Sequence, residues 1–573
     1  MRPLLRALAL AAMLLVILSC GVSQQPPQAA PATQTVSAAA TPQDAPACAK
    51  GVPSLDSQFP PGFDYPQTKE TIALWRANRS GHTKRPHAYC LFAGLNLPVM
   101  GVPAWRRWET ATQAFPYQYN EWIDRDADGN PLQQSEASHP ATINQSRAEA
   151  HGRVGGIRND GPIYVINPLL AADPRYRQCR KEKKDKNGKL LGYVLRDGQM
   201  FQSNGDIMIA VVSYNPAAMK NIRGKDLADA ATLDQWLPKG DKDPPNAIKD
   251  FPSDSIVLKV MYWPVANGQN AVTALPVWDW DNNKPGSVSD GKYAGYEMQQ
   301  FWTRAVAISS GPTSAKTADV TFLNGVLDSN GNPLPSNTYR NAPVVGLDRF
   351  YKKTFSQIEF DLLAPCDQAL LHASAYWTYN RAFMGGDSLV MIAMHIMTKE
   401  QPDWTFQSAW WHLEAKNCPN DNAHRFCGDQ PGSTPSVDES WRNYMMVTTY
   451  GMLQYPPKGG GSGNGYIPTD TKDPKKTWPV AYNPYIELAA THPITTNCMN
   501  CHHRAAWPPD VPEQKKDRGR FSAYLQTTSP NPNVLESFTN SDGPFQGLLM
   551  LDSMWAVSDR AGYREVTSPA KAP

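Results

Sequence analysis

The sequence predicts an α+β, β-rich fold: an antiparallel, sandwich-like sheet body with peripheral helices and a loop-rich, helical C-terminal segment. Three observations carry that expectation. Proline (51) and glycine (39) are abundant among the 573 residues, which limits long helices. Several runs are rich in β-branched and aromatic residues, and turn-forming tetrads such as Asp185-Lys186-Asn187-Gly188 and Asp328-Ser329-Asn330-Gly331 suit hairpins. A hydrophobic content of 41% with 17 tryptophans is enough to bury a large core.

The elements follow in chain order. Arg2 and Arg6 flank an apolar stretch that ends at Ser19-Cys20, too short to span a bilayer comfortably. Residues 1–19 read as a lipoprotein signal peptide, with Cys20 as the lipidated residue and residues 20–47 as a flexible linker. A large β-rich body, long enough for two subdomains, is expected over 48–490, and a distinct region over 491–573. The spacing predicts strands at 255–264, 355–363, 388–400, 404–411 and 444–453, the last also compatible with a helix. In the third of these, Leu389, Met391, Ala393, His395 and Met397 fall on one face. Helical patterns are expected at 227–236, 295–308, 367–383 and 545–560. The glycine-rich run 459–465 lacks the Lys-Ser/Thr of a phosphate cradle and reads as a linker.

Near the C-terminus stands Cys498-Met499-Asn500-Cys501-His502, a C-x-x-C-H run, the attachment signature of c-type haem. The two thiols bond covalently to the porphyrin and the adjacent histidine supplies one axial nitrogen to the iron. The other readings are a redox dithiol or half of a zinc site. Zinc needs a second ligand pair, for which only His503 is adjacent. A dithiol motif would follow a strand, and residues 492–497 do not read as one. One covalent haem c held by Cys498, Cys501 and His502 is therefore expected, with the last 83 residues (491–573) as its attachment region.

Cysteine usage agrees with an oxidising compartment. Of nine cysteines, Cys20 goes to lipid and Cys498 and Cys501 to haem, leaving Cys48, Cys90, Cys179, Cys366, Cys418 and Cys427. Six cysteines allow fifteen pairings. Only the local pair Cys418–Cys427 stands out.

The formal charge of +2 argues against nucleic acid as the main partner. The run Asp124-Arg125-Asp126-Ala127-Asp128-Gly129-Asn130 resembles the start of a calcium loop, but Ser135 stands where the bidentate glutamate belongs and Pro131 interrupts it, so a polar turn is expected. The basic run 177–189 reads as a solvated hairpin. Lys515-Lys516-Asp517-Arg518-Gly519-Arg520, nearer the haem motif, is better placed to steer an acidic redox partner protein.

The sixth iron ligand decides the chemistry, because two protein ligands make a carrier whereas an open position admits small molecules. His395, in mid-strand among Met391, Met394 and Met397, is the first candidate for distal ligand. Met550 and Met554, one helical turn apart if their segment is helical, come next. His372, His412, His492 and His503 stay open.

The chain resembles secreted bacterial proteins of the cytochrome c family that carry one C-x-x-C-H near the C-terminus of a large chain. The resemblance rests on Ser255-Ile256-Val257-Leu258-Lys259, Gly386-Asp387-Ser388, Met394-His395-Ile396, Lys399-Glu400, Asp403-Trp404-Thr405-Phe406, Trp410-Trp411 and the haem motif. It covers about the last 320 residues and implies haem binding and electron transfer, with no substrate. The short-loop distal methionine of small cytochromes c is not evident. The expectation is a membrane-tethered monohaem c-type cytochrome in the cell envelope, lipid-anchored and periplasm-facing. The alternatives are a haem enzyme of peroxidase or oxidase type, or a haem-containing ligand-binding or sensor protein.

Overall fold

An eight-stranded antiparallel sheet organises the body. Its main strands are β1 (Ile209–Tyr214), β2 (Ile256–Val265), β3 (Ser388–Thr398), β4 (Thr405–Trp411) and β5 (Tyr444–Thr449), paired in that order. The short strands Glu109–Thr110 and Gln202–Ser203 pair with β1, and Lys352–Thr354 pairs with β3. The computed structural model describes residues 65–77, 84–99, 102–116, 163–164, 168–184, 187–195, 197–203, 208–268, 271–278, 302–323, 325–327, 336–415, 439–450, 466–468, 477–479, 483–486, 498–503, 505–508 and 546–562. All of these fall in one compact unit that begins after Asp44. None of the described helices is long and apolar enough to cross a membrane.

The expected strands at 255–264, 388–400, 404–411 and 444–453 correspond to β2, β3, β4 and β5. The basic run also forms a hairpin, with Arg180–Lys184 pairing Leu190–Leu195 and Gly188 at φ +81° in the turn. A four-stranded sheet, Val272–Val277, Arg304–Ser309, Asn337–Gly346 and Thr317–Phe322, lies beside the main one. The Trp263 indole of β2 donates to the Ala274 carbonyl of that sheet at 3.0 Å. Helix α1 (Pro365–Tyr379), expected at 367–383, packs against strands of both sheets. Proline at its first position and Asn380 at φ +59° after its last mark its two ends. The helix expected at 227–236 is a shorter one, Ala230–Gln235.

Three expectations are corrected. Residues 355–363 are not a strand: Gln357–Asp361 is a helix, nucleated by a capping box between Ser356 and Glu359. That Ser-x-x-Glu start signal outweighs the apolar alternation around it. Within 295–308, residues from Arg304 onward form a strand at the centre of the four-stranded sheet, where β-branched Val306 and Ile308 are buried. Within 545–560, Leu549–Met550 is a strand and only α3 (Trp555–Arg560) is helical. Met550 and Met554 therefore do not share a helix face.

A disulfide joins Cys179 to Cys366 at the start of α1, and Cys90 is also disulfide-bonded. Cys20, Cys418 and Cys427 lie outside the described residues, as do the 124–130 run, the 328–331 turn, the 459–465 linker and the 515–520 basic segment.

His372 on α1 is buried against Phe360, with Nε2 3.1 Å from the Tyr176 hydroxyl. Burial, followed by the nearby Arg175, pushes its pKa down to about 4. The unfolded chain takes up a proton near pH 6.5, whereas the folded chain resists until about 4. Stability is therefore lost as pH falls through that window, by up to about 3 kcal/mol. The thermal midpoint of His372→Gln should fall less steeply between pH 7 and pH 4.5 than that of the parent. Equal slopes would refute this origin.

Candidate haem-attachment site

Each of the three central strands is buried at every position but one. The half-buried exceptions are Val212 in β1, Lys259 in β2 and His395 in β3. Lys259 is the register partner of both Val212 and His395. Directly paired residues of a sheet point to the same face, so the three side chains form a row across it. This row is an opening in an otherwise covered surface. The next partner is Ser408 of β4, and Phe406, two residues earlier, shares its face.

The C-x-x-C-H run forms the short helix α2 (Cys498–His502), which lies against β4. The His502 ring packs on Phe406 with centroids 4.8 Å apart, which puts α2 on the face that carries Lys259 and His395. Both residues are close enough to act electrostatically on His502. Cys498 and Met499 are buried in the main apolar cluster.

His502 is oriented by a backbone carbonyl. Its Nδ1 lies 2.9 Å from the Ser553 oxygen, and since a carbonyl only accepts, Nδ1 carries the proton and Nε2 keeps its lone pair. Burial lowers the imidazole pKa to about 3, opposed by the Ser553 hydrogen bond, so the ring is neutral at physiological pH. Ser553 follows Asp552, and both non-glycine residues sit in the left-handed region, at φ +65° and +49°. The pair forms the sharp turn between the strand Leu549–Met550 and α3.

This C-terminal segment is fastened to the body at several points. Leu549–Met550 pairs with Ala506–Trp507 after the motif and in parallel with Asn246–Ala247. The Trp507 indole donates to Asp234 at 2.9 Å, and the Arg560 guanidinium meets Asp197 at 2.6 Å. Backbone bonds link Ala230 and Ala228 to Gly562.

The structure brings the sequence candidates together unevenly. His395 shares a face with α2, and Met554, buried in the same cluster as Cys498, lies one residue from the carbonyl that orients His502. Met550 packs in a separate small cluster with Ala506 and Leu548. His372 sits by Tyr176, and His412 is engaged at both nitrogens, by the Trp278 carbonyl at 3.0 Å and the Glu414 amide at 3.0 Å. His503 is buried 3.8 Å from the Asp403 carboxylate, and His492 lies outside the described residues. Sequence reasoning missed three participants. Lys259 had a signal, as the only charge in an apolar strand. Phe406 had a weak one in the Asp-Trp-Thr-Phe run, and the Ser553 carbonyl had none, because it acts through the backbone.

A scan of protein-family models, a search of curated proteins and a search of solved structures each returned no match.

Proposed function

We propose that the chain is a membrane-tethered monohaem c-type cytochrome that exchanges electrons with a redox partner protein. One haem c would be bonded to Cys498 and Cys501, with His502 as proximal ligand. The observation that carries this reading is the state of His502: a neutral imidazole with Nδ1–H held by a carbonyl and Nε2 left as the basic nitrogen, in a C-x-x-C-H helix beside an opening in the sheet. Ligating histidines characteristically have the second nitrogen fixed in this way. The apolar wall of Phe406 and Met397 suits a macrocycle. Bound haem supplies a one-electron couple. The chain's own residues orient the ligand, exclude water and fix the local charge.

His395 is the first choice for the distal ligand, because it shares a sheet face with the α2 contact residue Phe406. Met554 and then Met550 are the alternatives. We read the eight-stranded and four-stranded sheets as the layers of a sandwich-like body, supported by the Trp263–Ala274 bond between them. The region 491–573 would be the haem-bearing segment docked on it. Cell-envelope localisation through lipid on Cys20 rests on the N-terminal sequence.

A second reading is favoured by the half-buried row of Val212, Lys259 and His395, an opening through which a small molecule would reach the iron of a haem enzyme or sensor. Visible absorption of the full chain matured with haem, with and without carbon monoxide, separates the two. A low-spin spectrum indifferent to carbon monoxide, lost in His502→Ala and turned high-spin in His395→Ala, is expected for the carrier. A high-spin parent that binds carbon monoxide would move the assignment to the second reading. Absence of covalent haem would end both.

A further inference from the structure

Three non-glycine residues with positive φ lie in the β3–β4 loop and in the turn that orients His502: Trp404 at φ +61°, Asp552 at +49° and Ser553 at +65°. Such a conformation is a genuine outlier for a residue as bulky as tryptophan, and each one persists only where its surroundings hold it. The loop between β3 and β4 contributes Trp404 and also Lys399, whose side chain is 3% exposed. Lys399 Nζ is ion-paired to Asp552, itself 6% exposed, and donates to the Pro402 carbonyl. The other Asp552 oxygen accepts from the Phe251 amide at 2.8 Å. Trp404 is fully buried beside Phe251, with ring centroids 5.6 Å apart, and Lys399 Nζ lies 5.5 Å from its ring centre.

A buried ion pair is a poor device for stability, because desolvation of two charges offsets most of their attraction. This pair does fix geometry. Asp552 is bonded on one side to the β3–β4 loop and on the other to Phe251, so the turn it shares with Ser553 cannot rotate independently of the sheet. The Ser553 carbonyl leaves that turn directly onto His502 Nδ1. The same loop runs into Phe406, whose ring packs on His502, and Asp403 lies 3.8 Å from His503.

We propose that the Lys399–Asp552 pair is a positioning clamp, which holds the Ser553 carbonyl on His502 Nδ1–H and so sets how strongly the imidazole donates to the haem iron. The inference rests on the haem reading above. A hydrogen bond at Nδ1–H makes the ligand more basic and favours ferric iron, so its loss raises the midpoint potential.

The test uses the full chain matured with haem, titrated at pH 8 as parent, Lys399→Met, Asp552→Asn and Lys399→Arg. Both neutral variants should shift the potential upward, and Lys399→Arg should stay near the parent. A purely through-space charge effect predicts opposite signs, downward for Lys399→Met and upward for Asp552→Asn, and that outcome overturns the clamp. Unchanged potentials in folded variants overturn it too. Should a neutral variant fail to fold, Asp552→Glu, which keeps the charge but displaces the carboxylate, carries the same test: an upward shift supports the clamp and an unmoved potential overturns it. A parent without covalent haem sinks the haem reading itself, whereas a normal parent with unresponsive variants sinks only the clamp.

Discussion

Removal of the Cys179–Cys366 bridge by double alanine substitution is expected to lower the unfolding free energy by about 5 kcal/mol, a loss carried mainly by the unfolded chain. The bridge spans a sequence separation of 187 residues, and the loop-closure entropy it removes from the unfolded ensemble grows with the logarithm of that length. It ties the 3-10 helix Pro174–Cys179 to the start of α1, which packs on both larger sheets. Its loss should therefore shift the whole denaturant transition, with haem attached or absent. Equilibrium unfolding in guanidinium under non-reducing conditions measures it, and a change below about 1 kcal/mol would contradict the entropic account.

The second large effect is expected at Asp387, whose side chain is 0% exposed. Its carboxylate accepts from the Asn267 amide at 2.7 Å, the Met384 amide at 3.0 Å, the Tyr379 hydroxyl at 3.0 Å and both terminal nitrogens of Arg381 at 2.7 and 2.6 Å. Asp387→Ala leaves these part-buried donors without their shared acceptor. Breaking a buried pair costs about 3 to 5 kcal/mol, and because the Arg381 side chain is 32% exposed and reaches solvent, the lower figure applies. The damage sits at the entry to β3, on the strand that carries His395 further along, so on the haem reading the visible spectrum should weaken along with stability. Asp387→Asn, which keeps a carbonyl acceptor, should recover part of the loss. An alanine variant as stable as the parent would show that the network is dispensable.

Much of the sheet was legible because β2, β3 and β4 are dense in Val, Ile, Met and aromatic residues, whatever their faces. Their lack of strict alternation has a physical cause: both faces of these strands are covered, and only Lys259 and His395 are less than fully buried. The short runs Gly386-Asp387-Ser388 and Lys399-Glu400 that drew attention in the sequence prove to hold the ends of β3. Asp387 ties the strand to α1's C-terminal loop, and Gly386 sits at φ +94°, a conformation that L side chains rarely adopt. Glu400 is buried with His87, 3.1 Å away, and with Thr398. Less was legible where the decisive partner is distant or not a side chain. The Cys179–Cys366 pairing carries no local signal across its long separation. The Ser553 carbonyl is invisible to residue-type reasoning, and the helical pattern imposed on 545–560 hid the turn that presents it.

The segment that carries α2 is pinned to residues drawn from 197 to 251 by Arg560–Asp197, Trp507–Asp234, the Asn246–Ala247 pairing and Phe251–Asp552. With haem attached, the iron becomes an optical gauge of the entire fold. Detachment of that segment would carry His502 away from Phe406, so the visible band should change at the same denaturant concentration as the far-ultraviolet signal of the strands. Two transitions at separate concentrations would instead mean that the C-terminal segment opens while the sheet stays intact, so that on the haem reading the iron could be exposed without global unfolding.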